Sequence, residues 1–524
     1  MTRENYADRH RGSSTSVTRT SDDQREVIAF LSDPSSYGDV EQVDRLETHI
    51  SIVFLAGDNA YKLKRAVRFP YLDFSTVDQR QRYCRAEFAF NQRTAPELYR
   101  EVRSIRRGTN GRLAWGDTGE IIDWVVVMRR FEQHQRLDAI VKTDGLKLPL
   151  IQALAANIAN FHSRAEARTG YGGTDGVAAV IRENDTCLGR AALPITQIAR
   201  LCERSGEWLR RVGELLDSRR AAGKVRRCHG DLHLRNICVL DGKPVLFDCI
   251  EFCETFATID VLYDLAFLLM DLEHQGHGES ANLIFNRYLD LTAEDDGLAA
   301  MPLFLSLRAA IRAHVTASSG SVGEAQSYLD EACQALQPPP ARLIAIGGMS
   351  GTGKSTIAAA LAPALGARPG ARVLRSDAIR KRLFGVAPER RLPEQAYSSD
   401  TNDRVYGELR RLASVALRAG YSVIIDAVSL RPEERQSFAD IARDVGAPFS
   451  GIWLEAPAAA LAARVAARRN DISDATPEIV ELQLQVDPGR IDWRRIDAAG
   501  GASDVAAAVQ RALADARFGT LNVD

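Results

Sequence analysis

The stretch Gly348-Met349-Ser350-Gly351-Thr352-Gly353-Lys354-Ser355-Thr356 constrains this chain more than any other. An apolar run over 343–347 precedes it and a helical pattern over 355–365 follows. The glycines let successive backbone N–H groups turn inward, and the helix start adds positive partial charge. A strand, a tight glycine loop and a helix in that order form one βα unit. The pattern downstream repeats it, with strands over 373–375, 422–426 and 449–454 and helices over 403–419, 432–445 and 458–469. That alternation predicts a parallel sheet covered by helices.

The spacing Gly348-x-x-x-x-Gly353-Lys354-Ser355 is the P-loop pattern in full. Residues 348–356 are therefore the candidate cradle for a nucleoside triphosphate. In it, Lys354 reaches the β and γ phosphates and the Ser355 hydroxyl ligates Mg²⁺. The candidate strand over 422–426 ends in Asp426-Ala427, without the Glu that a motor ATPase usually carries there to activate water.

At 524 residues the chain is too long for one ordinary core. Four segments are expected: a disordered polar tail over 1–22, a first domain over 23–336, a proline linker over 337–341, and the P-loop domain over 342–524. The tail lacks the apolar stretch of a secretory signal. No apolar run approaches the ~18 residues that would span a membrane, so a cytoplasmic protein with no membrane partner is expected. Net charge is 67 − 69 = −2, which argues against a strongly cationic nucleic-acid binder. The eight cysteines include no Cys-x-x-Cys pair. Cys228, Cys238, Cys249 and Cys253 read as small residues around a core strand rather than a zinc site, reduced as in the cytoplasm.

The first domain carries a second constellation, His229-Gly230-Asp231-Leu232-His233-Leu234-Arg235-Asn236 followed by Leu246-Phe247-Asp248. Around it the pattern predicts strands over 50–55 and 60–67 joined at Gly57-Asp58-Asn59, a helix over 80–94 and a strand over 121–128. Helices follow over 149–167 and 195–216. Short strands over 237–240 and 244–247 turn at Asp241-Gly242, and buried helices run over 259–270 and 301–316.

This constellation resembles the aminoglycoside phosphotransferase and choline kinase family, which has the protein-kinase-like fold. The resemblance implies that Asp231 orients an acceptor hydroxyl and that Asn236 and Asp248 hold Mg²⁺. It also implies an ATP-anchoring lysine on the third strand. Lys62 in Ala60-Tyr61-Lys62 is preferred, Lys64 points the same way, and Glu87 on the next helix is the ion-pair partner. Residues 128–131 would form the hinge for adenine. Asp260 and Asp264 would brace the catalytic loop, and His229 would do so through a backbone hydrogen bond. His162 and His314 read as core-edge residues. Two departures stand out: Glu47-Thr48-His49-Ile50-Ser51 replaces a glycine-rich loop, and Asp248 is followed by Cys249-Ile250-Glu251 instead of Phe-Gly.

Beyond the P-loop, Ser376-Asp377-Ala378-Ile379-Arg380 resembles small P-loop kinases. These are adenylylsulfate kinase, gluconate kinase and the kinase domain of polynucleotide kinase, with the zeta toxins more distant. The resemblance implies Asp377 as the base facing the acceptor hydroxyl and Arg380 as the grip on an anionic part of the acceptor. The competing reading of Asp377 is a helix cap. The run over 461–469 is similar to the arginine-bearing lid of the same kinases. Arg464 and Arg468 lie four apart, on one helix face, where they would neutralise transferring charge; a solvated basic face is the alternative. Asp426 stands where this group places an Asp near Mg²⁺ or the acceptor.

The sequence therefore implies an α+β protein-kinase-like bilobal domain followed by an α/β P-loop NTPase domain with a parallel sheet. The function implied is a bifunctional kinase using ATP and Mg²⁺, with a hydroxyl-bearing small molecule as acceptor. Polynucleotide 5′-hydroxyl phosphorylation is an alternative, drawn from Arg375, Arg380, Lys381, Arg382, Arg390 and Arg391 and weakened by the near-neutral charge. A nucleotide-gated regulator with one non-catalytic domain is the third reading.

Overall fold

The computed structural model describes residues 18–19, 24–69, 72–467 and 472–515. The chain packs as two compact units, Met1–Thr143 with Arg226–Ile259, and Asp144–Val225 with Asp260–Asp524. Neither boundary falls at the prolines over 338–340, where the sequence pattern places one.

The first unit is built on an antiparallel six-stranded sheet. Its order is Val43–Glu47, Ser51–Ala56, Asn59–Lys64, Glu120–Arg129, Tyr99–Arg107 and Leu113–Trp115. Gly57 turns the hairpin of Ser51–Ala56 and Asn59–Lys64 at φ +53°, closing it on the Ala56–Asn59 pair. Side chains then alternate along strand Asn59–Lys64. Ala60 joins a core with Cys84 and Val126, whereas Tyr61 and Leu63 join the opposite one with Phe54 and Val125. Helix Val77–Asn91 is capped by Thr76, whose hydroxyl accepts the Gln79 N–H, and packs on strand Glu120–Arg129. The hairpin Ile237–Leu240 and Lys243–Leu246 turns at Asp241 and Gly242, both at positive φ. Its Cys238, Leu240 and Val245 enter the Ala60 core, so the motif loops on either side of it are seated on the lysine strand's face.

Within the tail expected to be disordered, Thr18–Arg19 pairs as a strand with Val67–Phe69; the rest of 1–22 lies outside the described residues. All eight cysteines are free, with Cys84, Cys228, Cys238 and Cys249 buried.

The second unit combines a helical part, from Leu148–Arg164 to Val322–Ala335, with a five-stranded parallel sheet and its own helices. The sheet order is Arg372–Arg375, Val423–Asp426, Leu343–Gly347, Phe449–Glu455 and Arg494–Asp497. Ile344, Ile346, Val373, Ile424 and Leu454 form its core with Ile357 and Leu361 of helix Lys354–Leu361. That helix ends earlier than the pattern suggests, because Pro363 turns the chain into a 3₁₀ segment, Ala362–Ala364. Helix Met301–Ser318 corrects the reading of apolar runs. With the preceding Glu294–Ala300 it forms a stretch long and apolar enough to cross a membrane, yet it is mostly buried, packed on Val261–His274 and Val322–Ala335.

Helix Gly278–Thr292 explains why the prolines do not separate packing units. Strand Arg372–Arg375 is a sheet edge, with backbone groups that need partners. Asn286 Oδ1 accepts the Val373 N–H at 2.7 Å, and its Nδ2 donates to the Ala371 carbonyl at 3.1 Å. Asn282 Nδ2 donates to the same carbonyl and to that of Pro369. Two amide side chains thus stand in for a missing strand. Beside them, the fully buried Arg372 is ion-paired to Asp290 at 2.7 Å and Asp295 at 2.8 Å.

Candidate active sites

In the first unit the lysine strand, the helix and the motif loops converge. Lys62 Nζ donates to Glu87 Oε1 at 2.7 Å and to Asp248 Oδ1 at 2.6 Å. Burial opposes its charge, but Asp248 and Glu87 outweigh that and hold its pKa well above the ordinary value. Lys64 Nζ donates to Glu87 Oε2 and to Glu251 Oε1, both at 2.6 Å. Both candidate lysines therefore bind the one glutamate. Burial pushes the Glu87 carboxyl up; Lys62 and Lys64 more than reverse this and keep it ionised.

The His-Gly-Asp loop is fixed by its own residues. His229 Nε2 lies 2.9 Å from the Phe247 carbonyl, so the imidazole braces the strand that leads into Asp248. Asn236 Nδ2 donates to Asp231 Oδ2 at 2.8 Å and to its carbonyl at 3.0 Å. This leaves the Asn236 amide oxygen as that side chain's ligand atom. His233 Nε2 stands 3.3 Å from Asp231 Oδ2. Asp248 adopts φ +64°, a strained conformation for a non-glycine residue. Its backbone N–H donates to the Tyr99 hydroxyl at 3.2 Å, and the next N–H to Asn91 Oδ1 at 2.9 Å. Burial, with Glu87 and Asp248 nearby, keeps Tyr99 a neutral phenol. Carboxylate and amide oxygens are hard donors, the set Mg²⁺ takes.

In the second unit, the pairing of Ile346 with Asp426 sets that carboxylate beside the start of the P-loop. Ser355 Oγ donates to Asp426 Oδ2 at 2.6 Å, joining the two expected Mg²⁺ ligands. Arg375 Nη2 donates to Ser355 Oγ at 3.1 Å and its Nε lies 3.4 Å from Asp426 Oδ2, a cation against this hydroxyl–carboxylate pair. Lys354 Nζ caps the Gly348 and Met349 carbonyls of its own loop. Gly348 and Gly351 are required by close approach. A Cβ there would lie 2.4 Å from the Leu454 carbonyl oxygen and 2.7 Å from that of Leu461. A solvent-open cavity of about 460 Å³ lies at the ends of the last two strands, lined by Glu455, Ala456, Pro457, Arg495 and Asp497.

The expected acceptor and lid residues are arranged differently. Asp377 sits in the first turn of helix Ser376–Leu383, whose cap position is Arg375, so it is not the cap. Arg380 is buried and turned inward, donating to the Ala396 carbonyl and to Asn402 Oδ1, both at 2.7 Å. Arg464 donates to the Ala498 carbonyl at 2.8 Å and the Ala499 carbonyl at 2.9 Å, tying down the loop after the last strand, and also reaches the Gly351 carbonyl of the P-loop at 3.5 Å. Arg468 lies outside the described residues. In the helical part, Asp260 pairs with Arg219 and caps helix Val261–His274. Asp264 meets His162 at 3.1 Å, and that histidine is buried, not at the core edge.

Three residues escaped the sequence reading as parts of a site. Glu251 is one. Gln483 of helix Pro477–Leu484 is another: its Oε1 accepts the Ser350 N–H at 2.8 Å, a donor of the cradle itself. Asp474 is the third, accepting from Lys381 at 2.9 Å, Tyr397 at 2.8 Å and the Leu392 N–H at 3.0 Å. Only the three-residue offset of Glu251 from Asp248 was a signal visible in the chain.

Uncharacterized proteins of Mycobacterium tuberculosis and Mycobacterium bovis are 32% identical to this chain over 483 residues, spanning 87% of it and 93% of theirs. The chain belongs to the family of these mycobacterial proteins. Residues 86–303 match the model of the phosphotransferase enzyme family, and residues 343–486 match one described as an AAA domain. Both parts thus fall in kinase-type phosphotransferase families. The fold is kinase-like in the N-terminal part and a parallel-sheet P-loop domain in the C-terminal part. Among solved structures, a choline/ethanolamine kinase family protein from Mesorhizobium loti is 13% identical (TM-score 0.35), with coverage of 59% of this chain and 97% of its own. A gluconokinase from Sinorhizobium meliloti is 20% identical (TM-score 0.25), with coverage of 34% and 97%.

Proposed function

We propose that this chain is an ATP- and Mg²⁺-dependent phosphotransferase with two kinase-type sites, each moving a γ-phosphoryl group to a hydroxyl of a small molecule such as a sugar, an amino alcohol or a nucleoside-like compound. The observation that carries the reading is Lys62, held between Glu87 at 2.7 Å and Asp248 at 2.6 Å. A lysine fixed by a helix glutamate and aimed at a metal-binding carboxylate is the arrangement that triphosphate anchoring requires.

At the kinase-like site Lys62 would exchange Asp248 for phosphate oxygens, while Asn236 Oδ1 and Asp248 hold Mg²⁺. Asp231, its Oδ2 steadied by Asn236 at 2.8 Å, orients the acceptor hydroxyl and takes its proton. The new O–P bond forms as the bond to the β-phosphate oxygen breaks, and ADP leaves. At the P-loop site the backbone N–H groups over 348–356 and Lys354 hold the phosphates. Ser355 and Asp426 hold the metal, and Asp377 faces the acceptor. Mg²⁺, when bound, would neutralise charge on the transferring phosphoryl group. Catalysis is then positioning and charge neutralisation, without a covalent nucleophile.

The polynucleotide alternative has less support. Arg380 bonds inward, Lys381 pairs with Asp474 and Arg382 with Glu408, so three members of the basic stretch are already engaged. The test is an ADP-release screen over sugars, amino alcohols, nucleosides and 5′-hydroxyl oligonucleotides, using wild type, Asp231→Asn and Lys354→Ala. Each variant should abolish turnover on its own site's substrates alone. Full turnover by both variants on every active substrate would contradict the assignment.

A further inference from the structure

The kinase-like site contains a second lysine–glutamate pair, and it ties the lysine strand to the turn that carries Asp248. Lys64 follows Lys62 by two residues, hence on the same strand face. Its side chain is 1% exposed, and its partners Glu87 and Glu251 are 0% and 6% exposed. The Glu87 carboxylate is divided, Oε1 to Lys62 and Oε2 to Lys64. Glu251 lies on the turn that carries Asp248, a turn also held by Asn91 and by the His229 carbonyl, which accepts the Ile250 N–H at 3.0 Å.

Charge counting gives this geometry a purpose. Lys62, Lys64, Glu87 and Glu251 sum to zero, and the Asp248 side chain is 41% exposed. The negative charge left over therefore sits on the carboxylate that would meet a cation. Lys62 now bonds Asp248, and a triphosphate would draw it off. Once it has left, Lys64–Glu251 still joins the lysine strand to the Asp248 turn. A lone Lys64 would place an uncompensated positive charge beside a cation site; Glu251 cancels it.

We propose that Lys64 and Glu251 are positioning residues, a buried tether that keeps the Asp248 turn aligned for Mg²⁺ while Lys62 moves to the nucleotide. The proposal rests on the kinase-like site binding a Mg²⁺–nucleotide.

The experiment uses the full chain carrying Lys354→Ala, so that binding reports the kinase-like site. A fluorescent non-hydrolysable ATP analogue is titrated at fixed Mg²⁺ concentrations and in EDTA. Glu251→Gln and Lys64→Met should each raise the Mg²⁺ needed for half-maximal binding about tenfold or more, the scale of losing a group that orients a metal ligand. Binding in EDTA should change less than twofold, and the double variant should be no worse than the worse single one. Lys64→Arg keeps charge and reach, and should stay within about threefold of the parent, a check on folding as well as on the pair. Unchanged Mg²⁺ dependence in Glu251→Gln would overturn the tether. So would an equal loss with and without Mg²⁺, or losses that multiply in the double variant. If the Lys354→Ala parent itself binds no analogue, the functional reading of the site fails, and the tether with it.

Discussion

Replacing Arg372 with methionine tests the buried polar contact between helix Gly278–Thr292 and the sheet edge. The guanidinium is engaged on three sides. It meets Asp295 Oδ1 at 2.8 Å, Asp290 Oδ1 at 2.7 Å and the Val373 carbonyl at 2.9 Å. Methionine fills similar space but takes the ion-pair partner from two carboxylates. The Asp295 side chain is 3% exposed and cannot recruit water; that of Asp290, at 15%, does so in part. Removing one partner of a buried ion pair costs about 3–5 kcal/mol, and Asp295 alone places this site in that range. With roughly 2 °C lost per kcal/mol for a large unit, thermal unfolding of the second unit should shift down by about 8 °C. Arg372→Met/Asp295→Asn should recover a good part of this, because the stranded charge is gone. The loss should also be smaller at pH 5 than at pH 8, since a stranded carboxyl binds a proton more readily in the folded variant than in the unfolded chain. A shift under about 2 °C, or a double variant worse than the single, would show that Asp295 does not depend on Arg372.

Three further outcomes follow from particular side chains. Burial lowers the His314 pKa from 6.5 to about 4; between those values the unfolded chain binds the extra proton, so stability falls as pH drops through the window. His314→Gln should remove about 2 kcal/mol of the stability difference between pH 7 and pH 5, read by urea unfolding; an unchanged difference contradicts the burial argument. Gly351→Ala should cut nucleotide binding at the P-loop site at least 100-fold in a direct titration, because the residue sits at φ +91° and its Cβ would lie 2.7 Å from the Leu461 carbonyl oxygen; near-normal affinity would show that the loop can relax. Gln483→Ala frees the Ser350 N–H and should tighten nucleotide binding about fivefold, the worth of one competing hydrogen bond; weaker binding would make Gln483 a nucleotide contact.

What the chain revealed on inspection was chemistry fixed by residue type and spacing. The P-loop, the His229-Gly230-Asp231 run with Asn236 and Asp248, and the Lys62–Glu87 pair are such cases, since tight loops and strand alternation place their side chains locally. Strand Tyr99–Arg107 was missed because Arg100, Glu101, Arg103, Arg106 and Arg107 hide its alternation behind charge. Gln483 and Asp474 act through partners far away in sequence, and nothing local marks them; Glu251 is marked only by its three-residue offset from Asp248. The packing across the proline run was hidden for a related reason. Asn282, Asn286, Asp290 and Asp295 look like ordinary polar helix-and-loop residues until a sheet edge and Arg372 arrive to meet them. Arg380 and Arg464 carried the right residue type at the right spacing, yet both guanidinium groups bond backbone carbonyls of neighbouring loops. Spacing alone does not reveal which acceptor an arginine finds.

One polypeptide is proposed to hold two independent Mg²⁺–triphosphate sites. Calorimetric titration of the full chain with a non-hydrolysable ATP analogue and Mg²⁺ tests it most directly. Two sites per chain are expected, one in Lys62→Met, one in Lys354→Ala and none in the double variant. A single site that survives both substitutions would contradict it.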